Sequence, residues 1–296
     1  MLGYGYDTLC CELNRLGKIY PFLCVETIGE SVMGRSIPAV RLGQGAREIH
    51  VNAAFHANEW ITTPLIMQFV EDVACSFARG TAWQGRNIRR LFSEYSFWIV
   101  PMVNPDGVEL VLNGVSPEHP YRDQLLEWNG GAADFSAWKA NIRGVDLNDQ
   151  FPAHWEEEVA RRGQLGPGAR DYGGPEPLSE PEAAAIARFT ECHPFELVIA
   201  LHTQGREIYW NYRGYEPPEA EDFAEHLATA SGYQAVKLTD SDAGYKDWFI
   251  QHFRRPGFTV EVGLGVNPLP PESFAGLYAE IVPILLTALD LQTIRG

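Results

Sequence analysis

The stretch Glu48-Ile-His-Val-Asn-Ala-Ala-Phe55-His56-Ala-Asn-Glu59-Trp60 runs from a β-rich apolar segment into a polar turn. The residues that follow, from about Ile61 to Ala78, carry apolar side chains at helical spacing. His56 and Glu59 therefore sit on a strand-to-helix turn. Downstream, Tyr95-Ser-Phe-Trp-Ile-Val-Pro-Met-Val103 reads as a second strand, ending in a loop at the turn signal Asn104-Pro-Asp-Gly107. Asn113 to Arg170 is rich in Gly, Pro, Asn and Trp, lacks periodicity, and reads as long loops, where function often sits. Ser179-Glu-Pro-Glu182 has the spacing of a capping box with Pro in the first turn, opening a helix to about Cys192. Phe195-Glu-Leu-Val-Ile-Ala-Leu201 is a buried strand that delivers His202. A helix near Pro218 to Ser231 closes at Gly232. A short strand, a helical segment around Lys246 to Phe253, the strand Gly257 to Val262 and a final helix from about Glu272 complete the chain. Strands alternating with helices predict an α/β sheet covered on both faces, with ligands at the strand ends. No internal repeat, low-complexity tract or linker interrupts this pattern.

Four residues at those strand ends carry the chemistry. His56, Glu59 and His202 offer two imidazole nitrogens and a carboxylate, the ligand set of a catalytic zinc site with an open position. Glu261, inside Phe-Thr-Val-Glu261-Val-Gly, stands on a strand otherwise apolar. Burial of such a carboxylate is expensive unless it is paired or functional, so Glu261 is either a satisfied ion pair or a general base. The combination points to metal-assisted hydrolysis of an amide. The other histidines, His50, His119, His154, His193, His226 and His252, lack partner spacing and read as structural or solvated. Trp155 and Trp210 are candidates to wall the cleft, and Glu156-Glu157-Glu158 reads as a solvated helix face.

Composition bounds these readings. A chain of 296 residues with 45% hydrophobic and 12% aromatic content buries one large core, so a single domain over residues 1–296 is expected. The formal charge of -16, from 39 acidic against 23 basic residues, opposes nucleic acid or anionic membrane as partner. No run of 18 or more apolar residues and no basic start followed by an apolar stretch appears, so neither a membrane span nor an export signal is expected. The cysteines, Cys10, Cys11, Cys24, Cys75 and Cys192, are odd in number and lack CxxC spacing, which fits reduced thiols in a cytoplasm.

With these residues in place the chain resembles the zinc carboxypeptidases of the carboxypeptidase A type. Five blocks appear in order: His-x-x-Glu-Trp at His56 to Trp60, Asn-Pro-Asp-Gly at Asn104 to Gly107, Gly-Val-Asp-Leu-Asn at Gly144 to Asn148, the strand-borne His202, and Asp247-Trp248 ahead of Glu261. The resemblance spans roughly Tyr6 to the end. It implies a three-layer α/β/α sandwich with a mixed, roughly eight-stranded sheet. It also implies one zinc ion on His56, Glu59 and His202, with Glu261 as base to the attacking water. In that family an arginine upstream of Gly-Val-Asp-Leu-Asn offsets charge on the scissile carbonyl oxygen. Here Lys139 occupies its place in Trp138-Lys139-Ala-Asn141-Ile-Arg143-Gly144, and Arg143 is the second candidate.

Departures from the family bear on substrate. Carboxypeptidases read a free C-terminal carboxylate with an Asn-Arg pair, whereas this chain has Asn148-Asp149. Asn58 replaces a second carboxylate-binding arginine. Lys246 stands at the position of a specificity residue, and Thr239 at that of a mobile tyrosine, with Tyr245 the nearest substitute. A pocket holding both Asp149 and Lys246 suits a side chain with an ammonium and a carboxylate, as in meso-diaminopimelate. The pattern, above all Gly144-Val-Asp-Leu-Asn-Asp-Gln-Phe151, resembles the γ-D-glutamyl-L-diamino acid endopeptidases of spore-forming bacteria. It implies cleavage between γ-D-Glu and meso-diaminopimelate in peptidoglycan stem peptides or muropeptides, during recycling or in the mother cell of a sporulating bacterium. The alternatives are a carboxypeptidase acting on ordinary peptides, an aminoacylase-like or deglutamylating hydrolase, and a peptide binder without catalysis. Asp149 and the acidic balance oppose deglutamylation, and retention of all four site residues opposes the binder.

Overall fold

Valine, isoleucine and leucine alternate or run together in the central strands of the sheet, the pattern of strands buried on both faces. The computed structural model of the protein describes residues 3–290; residues 1–2 and 291–296, the two ends of the expected domain, lie outside the described residues. Helix α1 (Tyr6–Ile19) leads to β1 (Cys24–Glu30), β2 (Ser36–Leu42), β3 (Arg47–Ala53) and α2 (Thr62–Arg79). A small ribbon, β4 (Ala82–Trp83) with β5 (Arg86–Asn87), precedes α3 (Ile88–Glu94) and β6 (Tyr95–Val100). Then come α4 (Pro105–Asn113), α5 (Arg122–Trp128), α6 (Trp155–Arg162), α7 (Pro181–Glu191), β7 (Leu197–His202), β8 (Glu207–Tyr209) and α8 (Ala220–Ser231). The chain continues through β9 (Gln234–Val236), α9 (Tyr245–Phe253), β10 (Gly257–Glu261) and α10 (Phe274–Asp290).

Eight strands form one mixed sheet in the order β1-β2-β6-β3-β7-β10-β8-β9. Its middle, β6-β3-β7-β10, is parallel. Successive side chains of a strand face opposite ways, and the core divides accordingly. Ile49 and Val51 of β3, Ile199 and Leu201 of β7, and Phe258 and Val260 of β10 pack with α2, α8 and α10. Val198 and Ala200 of β7 pack on the other face, with α7 and α9. The three-layer α/β/α sandwich and its eight strands are as expected.

The Asn104-Pro-Asp-Gly107 signal opens a helix rather than a loop: Asn104 N-caps α4, its side chain accepting from Gly107 N, with Pro105 in the first turn. The segment from Asn113 to Arg170 contains α5 and α6. Ser179 does not cap α7; its hydroxyl goes to Gln150 Oε1, and Glu180 holds the cap position without a side-chain bond. Glu158 is buried against Arg161 and Arg162, unlike the solvated face expected of the Glu156–Glu158 run. By length and composition Pro271–Asp290 is apolar enough to cross a membrane, but Leu277, Ile281, Ile284 and Leu285 lie in the core.

Candidate active site

Three parallel strands deliver the site at their carboxyl ends. After β3, the chain turns at Ala54, whose φ of 52° is in the left-handed region, and places His56 at the head of a single 3-10 turn, Ala57–Glu59. His202 ends β7, and Glu261, paired with it in register, ends β10. His56 Nδ1 lies 2.8 Å from Glu59 Oε1, His202 Nδ1 lies 3.0 Å from Glu59 Oε2, and the two Nδ1 atoms are 3.2 Å apart. All three side chains are buried. Thr203 N donates to Glu59 Oε2 at 3.2 Å and holds the carboxylate in place.

A residue without an assigned role in the sequence completes the set. Asp146, the third residue from the left in Gly144-Val-Asp-Leu-Asn148, puts Oδ1 3.2 Å from His56 Nε2 and Oδ2 3.7 Å from Lys139 Nζ. A carboxylate on the far ring nitrogen fixes the imidazole's orientation and leaves Nδ1 to act as ligand. Burial opposes protonation of His56, but the charges of Glu59 and Asp146 outweigh it and raise its pKa to about 9. Glu59 is held well below the usual carboxylate range because the two histidines outweigh its burial. Two imidazole nitrogens and a carboxylate converging on one point, with a carboxylate behind the first imidazole, fit a zinc ion in place of those protons.

Around this cluster the structure separates the candidates. Lys139 faces it: its ammonium stays protonated despite burial because Asp146 and Glu59 favour the charge. Glu261 is enclosed beside the cluster, and burial first, Glu59 second, push its carboxyl up to about 8. Arg143 turns away, to Glu180 Oε2 at 3.7 Å and the Tyr121 side chain, so as a candidate electrophile it is corrected to a loop anchor. Tyr245 is also corrected. Its ring is fully buried, its hydroxyl lies 2.9 Å from Thr190 Oγ1, and it packs on Phe55, Phe151 and Trp248.

The expected pocket shared by Asp149 and Lys246 is absent from the geometry. Lys246 is buried with its ammonium on Asp247 Oδ1 at 2.5 Å and the Asn211 carbonyl at 2.7 Å. Asp149 is buried against Arg162 Nε at 3.1 Å. Each charge finds its partner at hand, because an unpaired buried charge is far costlier than a buried pair. Arg162 itself is divided among Asp149, Glu158 and Asp171, at 3.1, 2.8 and 3.4 Å. Its guanidinium thus contacts two of the three members of the Asp146, Asp149 and Asp171 group. Asn148 is half-buried and accepts from Tyr245 N at 3.3 Å, while Asn58 is buried with its amide oxygen unpartnered among the described residues. Trp155 and Trp210 are anchored in the structure, the first by a bond to the Gly173 carbonyl and the second by burial in the core.

A buried His-Glu-His set at the carboxyl ends of a mixed eight-stranded α/β/α sheet is the arrangement of a zinc peptidase. Residues 11–274 match the zinc carboxypeptidase family, peptidase M14, and the chain belongs to it. It is thus a zinc metallopeptidase, a hydrolase of peptide bonds that uses a single zinc ion. It is 48% identical over 288 residues to gamma-D-glutamyl-L-diamino acid endopeptidase 1 of Lysinibacillus sphaericus, a match covering 97% of this chain and 72% of that protein. It is 42% identical over 282 residues to protein YqgT of Bacillus subtilis, covering 94% and 75% of the two. A solved structure of bovine thrombin-activatable fibrinolysis inhibitor with a tick carboxypeptidase inhibitor shares the fold, with a TM-score of 0.75, 19% identity, and coverage of 98% and 97%.

Proposed function

We propose that this zinc peptidase hydrolyses the γ-D-glutamyl–meso-diaminopimelate amide bond of peptidoglycan stem peptides. The observation that carries this reading is the 48% identity, over 97% of the chain, to a relative named as an endopeptidase for that type of bond. His56, Glu59 and His202 would hold the zinc. When bound, the ion acidifies a water and polarises the scissile carbonyl. Glu261 accepts the proton of the attacking water and returns it to the leaving nitrogen. The Lys139 ammonium offsets the negative charge that develops on the carbonyl oxygen. Asp146 orients His56 and keeps Lys139 in position. Asn148 and Asn58 offer amide groups to the substrate backbone.

Asp149 supports an endopeptidase over a carboxypeptidase. It stands where carboxypeptidases keep an arginine, and Arg162 beside it is shared among three carboxylates, so the pair offers little to a free C-terminal carboxylate. The same reading makes the chain one catalytic domain working in the cytoplasm, on wall fragments under recycling or in the mother cell of a sporulating bacterium. The unpaired state of all five cysteines, Cys10, Cys11, Cys24, Cys75 and Cys192, suits that compartment. The test is incubation of the zinc-loaded protein with L-Ala-γ-D-Glu-meso-diaminopimelate, its D-Ala-extended form and an ordinary L-peptide, with products identified by mass spectrometry. Release of diaminopimelate or diaminopimelyl-D-Ala with the L-peptide intact is expected. Trimming of the L-peptide from its C-terminus overturns the proposal in favour of a carboxypeptidase.

A further inference from the structure

Antiparallel pairing of β8 with β10 sets Glu207 directly opposite Glu261. Directly opposed residues of such a pair project from the same face of the sheet, so the Glu207 carboxylate enters the cleft that holds Glu261. A Cβ at Gly205 would lie 3.5 Å from both Glu207 Oε2 and Glu261 Cβ, which places the two glutamates around one bare stretch of backbone. Tyr209, two residues along and on the same face, donates its hydroxyl to Glu207 Oε2 at 2.6 Å and fixes the carboxylate's direction.

Among the described residues, no Lys, Arg or His forms an ion pair with Glu207 or Glu261. Two carboxylates directly opposed across a strand pair repel when both are ionised, and more strongly where they are partly shielded from water. Six enclosed carboxylates around this end of the sheet, Glu59, Asp146, Asp149, Glu158, Asp242 and Asp247, each have a basic partner. Glu207 and Glu261 have none, and Glu207 lies across the strand pair from the proposed base. A cation that arrives with the substrate removes the imbalance.

We propose that Glu207, aimed by Tyr209, is a specificity-determining residue that receives the far ammonium group of a diamino acid residue beside the scissile amide. This rests on the function proposed above, and it moves the recognition of the diamino side chain from Asp149 to β8.

The test compares kcat/KM of the zinc-loaded enzyme on two stem peptides that differ only at that far amino group, free in one and N-acetylated in the other. Wild type is expected to favour the free amine by about tenfold or more, the scale of one charge-assisted hydrogen bond. Glu207→Gln, nearly isosteric, loses most of that preference through KM, and Tyr209→Phe loses part of it in the same direction. Zinc content of each variant checks the fold. Equal use of the two peptides by wild type, or full preference kept by Glu207→Gln, overturns the inference. If wild type cleaves neither peptide, the proposed reaction is wrong. Calorimetry with the free diamino acid and its mono-acetylated form then decides: selectivity for the free form that Glu207→Gln abolishes upholds Glu207, and equal binding rejects it.

Discussion

Glu261→Gln keeps the shape of the side chain and the strand that carries it, but removes the ability to take a proton. Turnover is expected to fall about a thousandfold while bound zinc, measured by elemental analysis, is unchanged. Loss of zinc together with activity points instead to a structural role for Glu261. Lys139 and Arg143 separate in a paired experiment. Lys139→Met is expected to lower kcat about a hundredfold, as removal of an oxyanion-stabilising group does. Arg143→Ala, which unties only Glu180 and Tyr121, is expected to leave kcat within a few-fold of wild type. The reverse ranking returns Arg143 to the electrophile's role. At this scale the sequence was most legible where chemistry alone limits the choice: a zinc site needs imidazoles and a carboxylate, and His56, Glu59 and His202 lie together. It was least legible for lysine and arginine, whose long side chains select partners in space.

At the scale of elements, the site depends on helix starts. Asn104 caps α4 and also donates to the carbonyls of Phe55 and Ala140, both at 3.1 Å, so one side chain joins the His56 turn to the Lys139 loop. The start of α7 carries a second tie. Glu182 accepts from Val32 N at 3.1 Å, and Asn141 Nδ2 reaches Glu180 Oε2 at 2.7 Å and Glu182 Oε2 at 3.4 Å. Burial first, and then the charges of Asp106 and Glu180, raise Glu182 to about 7 from an ordinary 4.5. An acid raised in the folded state holds a proton there that the unfolded chain has released. Its protonation therefore favours the fold at low pH, and stability falls as pH rises from about 4.5 to about 7. Thermal melts across that range are expected to show this slope in wild type and a flatter profile in Glu182→Gln. A slope unchanged in the variant assigns it to other groups. The capping box at Ser179 marked a real helix start but gave the wrong bond, because Ser179 found its partner in Gln150, whereas Asn104, which read as a loop signal, caps its own helix.

Across the whole molecule, a zinc ion held by His56, Glu59 and His202 would tie together the ends of β3 and β7, the two strands at the middle of the sheet. A ligand that binds only the folded state stabilises it by mass action. Removal of zinc with a chelator is expected to lower the melting temperature by roughly 5 °C, with recovery on zinc addition. His202→Ala is expected to melt at the same temperature with and without zinc. An equal response of wild type and His202→Ala places the zinc effect elsewhere. The longer elements after His56, namely α2, β6, α7, β7, α8, α9, β10 and α10, were readable because period and turn chemistry are local, whereas α3, α4, α5 and α6 were not. The strands β1, β2 and β8 escaped notice. β1 is the exposed edge strand of the sheet, and β8 spans only Glu207–Tyr209, too short for a pattern.

By itself the sequence determined the layered α/β architecture and the zinc ligand set, and it singled out Glu261 as an acid on an apolar strand, because hydrophobic period and donor chemistry are properties of the residues in order. Only the tertiary structure decided which charges face the cleft. It turned Lys139 inward and Arg143 outward, enclosed Asp149 with Arg162 and Lys246 with Asp247, and set Glu207 across from Glu261. The physical reason is that a charge takes its energy from whatever lies within a few ångströms, and those neighbours come from segments far apart in the chain.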